Sequence, residues 1–264
     1  MKIIDIHCHI DRKERIVQLL NSMKKNCILK AVLLSWELNF TDAKTKNILE
    51  IAKKYPSYFK VAGNIKISNN KHLDKDIQNL KILAEDKKIS GIGECPLGYE
   101  PYFANDKVYY KLAEICADNK IPLVFHTGDV WTDEKTGGIR DAKVRFAQPL
   151  YIDDLATDFS DLNIVICHFG NPWMIDAAEV MYKNKNVYAD LSALDVNKPW
   201  DTGTKKRLLE AIEYGQCSSK LLFGSDFPLF PADQQIKRVK SLGLSKKDLE
   251  LAFHGNAKKL FFRT

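Results

Sequence analysis

Eight short apolar runs recur along the chain, at about Lys2 to Ile6, Lys30 to Ser35, Tyr58 to Ile65, Ile89 to Glu94, Ile121 to His126, Asn163 to His168, Asn186 to Leu191 and Lys220 to Gly224. Rich in Ile, Val and Leu and too short for buried helices, they predict strands covered on both faces. Between them, apolar residues return every three to four positions, the period of a helix with one buried face. These segments are Arg15 to Met23, a helix starting near Thr41-Asp42 and running toward Tyr55-Pro56, Ile77 to Leu83, Tyr109 to Ala117, Met174 to Met181, Lys206 to Ile212 and Ile236 to Leu242. Eight strands alternating with helices over roughly 250 residues predict an α/β fold of the (β/α)8 TIM-barrel type. A doubly wound open sheet is the alternative, but no Gly-x-Gly-x-x-Gly turn follows the first strand. No linker, low-complexity tract or internal repeat divides the 264 residues, so a single domain spanning 1–264 is expected.

The polar residues that close these runs carry the candidate chemistry. His7 and His9 end the first run two positions apart, so strand alternation points both imidazoles to one side. Two imidazoles so placed are half of a metal site. Further candidate ligands close later runs: Glu94, His126, His168 and Asp226. Four of the six histidines thus fall at strand ends, while His72 and His254 lie in polar or helical contexts and read as structural. A barrel gathers its reactive groups at the carboxyl ends of its strands, where all of these fall. The longest connection without clear periodicity, Gly128 to Gln148, carries Trp131, Arg140, Lys143 and Arg145 and reads as a lid or specificity loop.

The His-x-His of the first strand, the later strand-end histidines and the Gly-Ser-Asp of the eighth resemble the amidohydrolase superfamily of metal-dependent barrels. Its amidohydrolase-related branch is the closer likeness. It is carried by His168-Phe169-Gly170-Asn171-Pro172, Phe223-Gly224-Ser225-Asp226-Phe227-Pro228 and the terminal Gly255-Asn256-Ala257-Lys258-Lys259-Leu260-Phe261. The resemblance implies that His7, His9, His126 and Asp226 hold a divalent metal, with His168 either a catalytic electrophile or a ligand to a second ion. Gly91-Ile92-Gly93-Glu94 also looks like the fourth strand of TatD-like hydrolases, where the glutamate contacts two metals. Cys95-Pro96-Leu97-Gly98 then departs from that group's Gly-Leu-Asp continuation, which weakens a nuclease reading.

By this resemblance the expected activity is hydrolysis of an amide, lactone or ester in a small molecule by metal-activated water, with Asp226 as general acid and base. Nitrogen and oxygen donors suit one or two ions of Zn, with Mn, Fe or Co as alternatives. The same branch contains non-oxidative decarboxylases, for which Arg140 or Arg145 would hold the substrate carboxylate; Trp131 and Trp173 read as lining a small-molecule pocket.

The net charge of +6 comes from 40 basic and 34 acidic residues, with lysine pairs such as Lys24-Lys25 and Lys246-Lys247 on polar helix faces. Such faces are ordinarily solvated, so no nucleic-acid partner is expected. Six cysteines without a Cys-x-x-Cys pair read as reduced, small buried hydrophobes. No run approaches the ~20 apolar residues of a membrane span, and the N-terminus lacks a basic segment followed by a long apolar stretch, so a cytoplasmic protein is expected. A homo-oligomer is compatible with the sequence.

Overall fold

The computed structural model describes residues 1–38, 43–130, 142–194, 200 and 203–263. All eight expected strands form: β1 (Ile3–Cys8), β2 (Ile28–Leu34), β3 (Phe59–Gly63), β4 (Gly91–Cys95), β5 (Leu123–Phe125), β6 (Ile164–Ile166), β7 (Val187–Asp190) and β8 (Leu221–Leu222). They pair in parallel in chain order, β1 to β8. The ring closes where Ile6 N–H donates to the Phe223 carbonyl at 3.0 Å and His9 N–H to that of Phe227 at 2.7 Å.

Helices α1 (Arg15–Lys25), α2 (Thr45–Lys54), α3 (Leu73–Glu85), α4 (Lys107–Asn119), α5 (Ile152–Asp158), α6 (Met174–Lys183), α7 (Thr204–Tyr214) and α8 (Ala232–Ser241) follow the strands in turn. Their buried stripes face the outside of the sheet. In α4, Tyr109, Leu112, Ala113 and Cys116 are buried at helical spacing, and the Tyr109 ring meets Phe125 of β5 edge-on at 5.2 Å. The expected start of the second helix, Thr41-Asp42, lies outside the described residues. Helix α5 is not anticipated, because seven residues hold too few turns to establish a period. Among the described residues no helix is long and apolar enough to cross a membrane.

Inside the ring lies a second apolar cluster: Ile4 and Ile6 of β1, Val32 and Leu34 of β2, Ala62, Val124, Val165, Tyr188 and Leu222, joined by Ala257, Leu260 and Phe261. The last three belong to the C-terminal run of α9 (Lys246–Glu250), a π-helical turn (Leu251–Gly255) and α10 (Asn256–Phe261). A Cβ on Gly91, the first residue of β4, would stand 3.2 Å from Phe261 Cε1, so α10 plugs the amino-terminal mouth of the barrel. With that end filled by apolar side chains, the candidate ligands gather at the carboxyl end. Gly93 has φ +140, and a Cβ there would lie 2.5 Å from the Val124 carbonyl oxygen. The residue that positions Glu94 therefore has to be glycine.

Candidate metal centre

Three steps along β1 from Asp5 to Cys8 span two along β2, from Ala31 to Leu33, so a bulge interrupts the alternation just before the site. It lets Ile6 remain in the barrel core while His7 and His9 both reach into the mouth, their Nε2 atoms 3.2 Å apart. Glu94, ending β4 and 1% exposed, stands between two groups of imidazoles. Its Oε2 lies 3.2 Å from Nε2 of His7 and 3.2 Å from Nε2 of His9, and its Oε1 lies 3.0 Å from Nδ1 of His126 and 3.5 Å from Nε2 of His168. Asp226 Oδ1 is 3.6 Å from His7 Nε2 and 3.8 Å from His9 Nε2.

Left-handed backbone delivers two of these groups. Alternation along β6 places Cys167 on the inner face with Val165. Residues His168 (φ 57) and Phe169 (φ 47) then turn the imidazole inward, and Asp226 has φ 59. Each such residue is strained by roughly 1–2 kcal/mol, and strain of this kind concentrates at functional sites.

The outer hydrogen bonds decide the tautomer of each imidazole. His7 Nδ1 faces the Asp190 carboxylate at 2.8 Å, and His9 Nδ1 faces the Leu34 carbonyl at 3.1 Å. His126 Nε2 faces the Asp129 carbonyl at 2.9 Å. The hydroxyl of Ser192 donates to Asp190 Oδ1 at 2.6 Å, so its oxygen accepts from His168 Nδ1 at 2.8 Å. Carboxylates and carbonyls only accept, so a neutral ring that makes its outer bond carries the proton on that nitrogen. The opposite nitrogen of each ring, bearing a lone pair, therefore points at Glu94 and Asp226, themselves acceptors. Four lone-pair nitrogens and two carboxylates facing one another without a donor are unfavourable unless a cation or added protons sit among them. Ligands ~2.0–2.2 Å from a common tetrahedral ion stand about 3.3–3.6 Å apart, and the separations in this cluster, 3.0–3.8 Å, bracket that distance. The donor atoms fall into two sets, His7, His9 and Asp226, and His7, Glu94 and His168. A third set, His7, Cys167 and Asp190, gathers on the Nδ1 side of His7, where burial pushes the Cys167 thiol well above its usual range.

Without a cation, protons compensate the charge. Burial works against a charged His7, but the carboxylates of Glu94 and Asp190 outweigh it and raise its pKa well above the usual value. Burial likewise opposes ionisation of Glu94, yet His7 and the hydrogen bonds from His126 and His168 carry its pKa well below the usual value. The raised His7 stabilises the metal-free fold below the unfolded pKa of about 6.5, and that contribution fades as pH climbs through the folded value. The lowered Glu94 contributes above about 4.3 and is lost in acid. A cation needs neutral imidazoles and binds more tightly as pH rises. The gain in Tm between chelator-treated and zinc-supplemented protein is therefore expected to grow from pH 6 to pH 8.5. Thermal melts showing a flat or shrinking gain would contradict this exchange of protons for metal.

Trp36, just past β2, packs edge-on against His9 at 5.9 Å and His126 at 5.8 Å, and Tyr99 meets Trp36 at 5.2 Å and His126 at 5.1 Å. These two aromatic walls were not singled out in the sequence, although Trp36 closes an apolar run just as the histidines do. Asp190 was missed in the same way, because β7, like β2 and β3, ends in no residue singled out as a candidate ligand. Trp131 and Arg140 lie outside the described residues. Arg145 is exposed, with its guanidinium over the Phe146 ring at 4.8 Å. Trp173 lines a cavity of about 400 Å³ with Met174, Asp176, Arg207 and Glu210, beside the first turns of α6 and α7.

Fold and donor set together define a (β/α)8 barrel suited to a divalent cation at its open end. The chain belongs to the amidohydrolase family, whose model matches residues 85–263, more than half of its length. The model of the TatD related DNases also matches, over residues 4–145. No curated protein matches. Among solved structures, an uncharacterized TIM-barrel protein from Bordetella bronchiseptica is 21% identical with a TM-score of 0.78, covering 98% of each chain. A probable 2-pyrone-4,6-dicarboxylic acid hydrolase from Acinetobacter baumannii is 17% identical with a TM-score of 0.71, covering 100% of each. A 2,6-dihydroxybenzoate decarboxylase from Rhizobium is 15% identical with a TM-score of 0.69, covering 99% of this chain and 98% of that one. These likenesses are to the barrel fold.

Proposed function

We propose that this chain is a metal-dependent hydrolase cleaving an amide, lactone or ester bond of a small molecule. The observation that carries the reading is the convergence of four lone-pair imidazole nitrogens on Glu94 and Asp226 at the open end of the barrel. His7, His9, Asp226 and Glu94 Oε2 suit one ion, and Glu94 Oε1, His126 and His168 suit a second, with the carboxylate offsetting part of the repulsion between them. Nitrogen and oxygen donors at tetrahedral spacing favour zinc. A bound cation supplies Lewis acidity and lowers the pKa of water from ~15.7 toward ~7.

Asp226 accepts the proton of the attacking water through its carboxylate and returns it to the leaving group. Its backbone N–H donates to the His7 carbonyl at 2.9 Å, which holds the carboxylate against the imidazole pair. Trp36 and Tyr99 exclude water from one side of the site and favour a small, partly apolar substrate. A decarboxylase is the second reading, supported by the likeness of the barrel to the 2,6-dihydroxybenzoate decarboxylase.

The test is a comparison, on one preparation, of hydrolysis across lactone, ester and amide libraries with carbon dioxide release from aromatic and 2-oxo acids. Hydrolysis that chelator abolishes and zinc restores is expected. Carbon dioxide release without hydrolysis would move the assignment to the second reading, and turnover indifferent to chelator would overturn the metal-dependent one.

A further inference from the structure

Asp190 is fully buried at the end of β7 and uses both carboxylate oxygens. Its Oδ2 accepts from His7 Nδ1 at 2.8 Å. Its Oδ1 accepts three donors: His168 N–H at 3.0 Å, Ser192 N–H at 3.0 Å and the Ser192 hydroxyl at 2.6 Å. Ser192 Oγ in turn lies 2.8 Å from His168 Nδ1 and 3.2 Å from His7 Nδ1. One carboxylate thereby reaches a histidine of β1 directly and a histidine following β6 through a single hydroxyl.

The contact with His7 has to cross β8, which lies between β7 and β1 in the ring. It crosses at Gly224, where a Cβ would stand 2.7 Å from His7 Cβ, 3.1 Å from Ser192 Cβ and 3.6 Å from Asp190 Cγ. The glycine of the Phe223-Gly224-Ser225-Asp226 segment is thus the gap through which the two side chains meet. Leu222, the last residue of β8 and two positions before this glycine, instead fills the barrel core.

We propose that Asp190 is the positioning residue of the centre, holding His7 directly and His168 through Ser192 in the tautomers whose lone pairs face Glu94. Buried carboxylates that orient ligating imidazoles in this way typically govern metal affinity by 10–100-fold. The inference rests on the metal-binding reading for its consequence, but its geometry is testable without metal.

Asp190→Asn is the decisive variant. The asparagine carbonyl stays where three donors converge, which turns the amide NH2 toward His7 Nδ1. That nitrogen must then accept, and the proton moves to Nε2, where a lone pair is needed. Nitrogen-15 spectra of the metal-free protein, followed to the alkaline end of the His7 titration, are expected to show protonated Nδ1 in the wild type and protonated Nε2 in Asp190→Asn. Zinc affinity, measured by competition with a chromophoric chelator, is expected to fall about 10–100-fold. Ser192→Ala should leave the His7 tautomer unchanged and lower zinc affinity less than Asp190→Asn does.

An unchanged His7 tautomer in Asp190→Asn, or zinc affinity within threefold of wild type, would overturn the proposal. Should Asp190→Asn fail to fold, the wild type alone decides: a His7 Nδ1 proton held by a buried carboxylate gives a resonance downfield of the amide region, and its absence is equally fatal. A swapped tautomer in a protein whose wild type takes up no zinc would leave Asp190 in its role and remove the hydrolase reading instead.

Discussion

Asp226→Asn is expected to lower kcat/KM by roughly 10³–10⁴-fold on whatever substrate the wild type hydrolyses, the upper part of the range for removing a general acid–base. Asparagine keeps the size of the side chain and the backbone bond from residue 226 to the His7 carbonyl, so the fold should survive. What it removes is the charge that stands 3.6 Å and 3.8 Å from the two Nε2 atoms of the first strand, and with it the only proton acceptor proposed for the attacking water. Steady-state kinetics on zinc-loaded protein check this. A kcat within tenfold of wild type, with metal content unchanged, would remove Asp226 from the chemistry.

Glu94→Gln is expected to reduce bound zinc from two ions per chain to one or none and to lower activity by on the order of 10³-fold, as loss of a charge-bearing metal-site group should. Among the described residues Glu94 is the single side chain within 3.5 Å of all four imidazoles, so an amide there weakens both halves of the centre together. Plasma emission spectrometry after dialysis gives the count directly. A variant that keeps two ions, or a wild type that never holds more than one, would rule out a bridging role.

Much of the scaffold was readable along the chain. Buried parallel strands have to be continuous apolar runs because helices cover one face and the barrel core the other, and all eight runs formed strands in the expected order. His7, His9, Glu94, His126, His168 and Asp226 stood out because each is a polar residue closing such a run, and the fold draws all six together. Short elements were harder. Helix α5 was invisible at seven residues, and the C-terminal segment carried no sign that Phe261 would plug the barrel. That role depends on a cavity which exists only once the ring has closed.

The chain by itself determined the order of strands and helices and the kinds of donor available, because periodicity and residue chemistry are local properties. Tertiary structure decided everything that depends on direction. The β1 bulge phases His7 inward, the left-handed turns at His168 and Asp226 aim their side chains, and Gly224 opens the path from Asp190 to His7. Which ring nitrogen of each histidine keeps its lone pair follows from acceptors on other strands. Those acceptors, Asp190 for His7 and Leu34 for His9, are 183 and 25 residues away in sequence and within 3.1 Å in space.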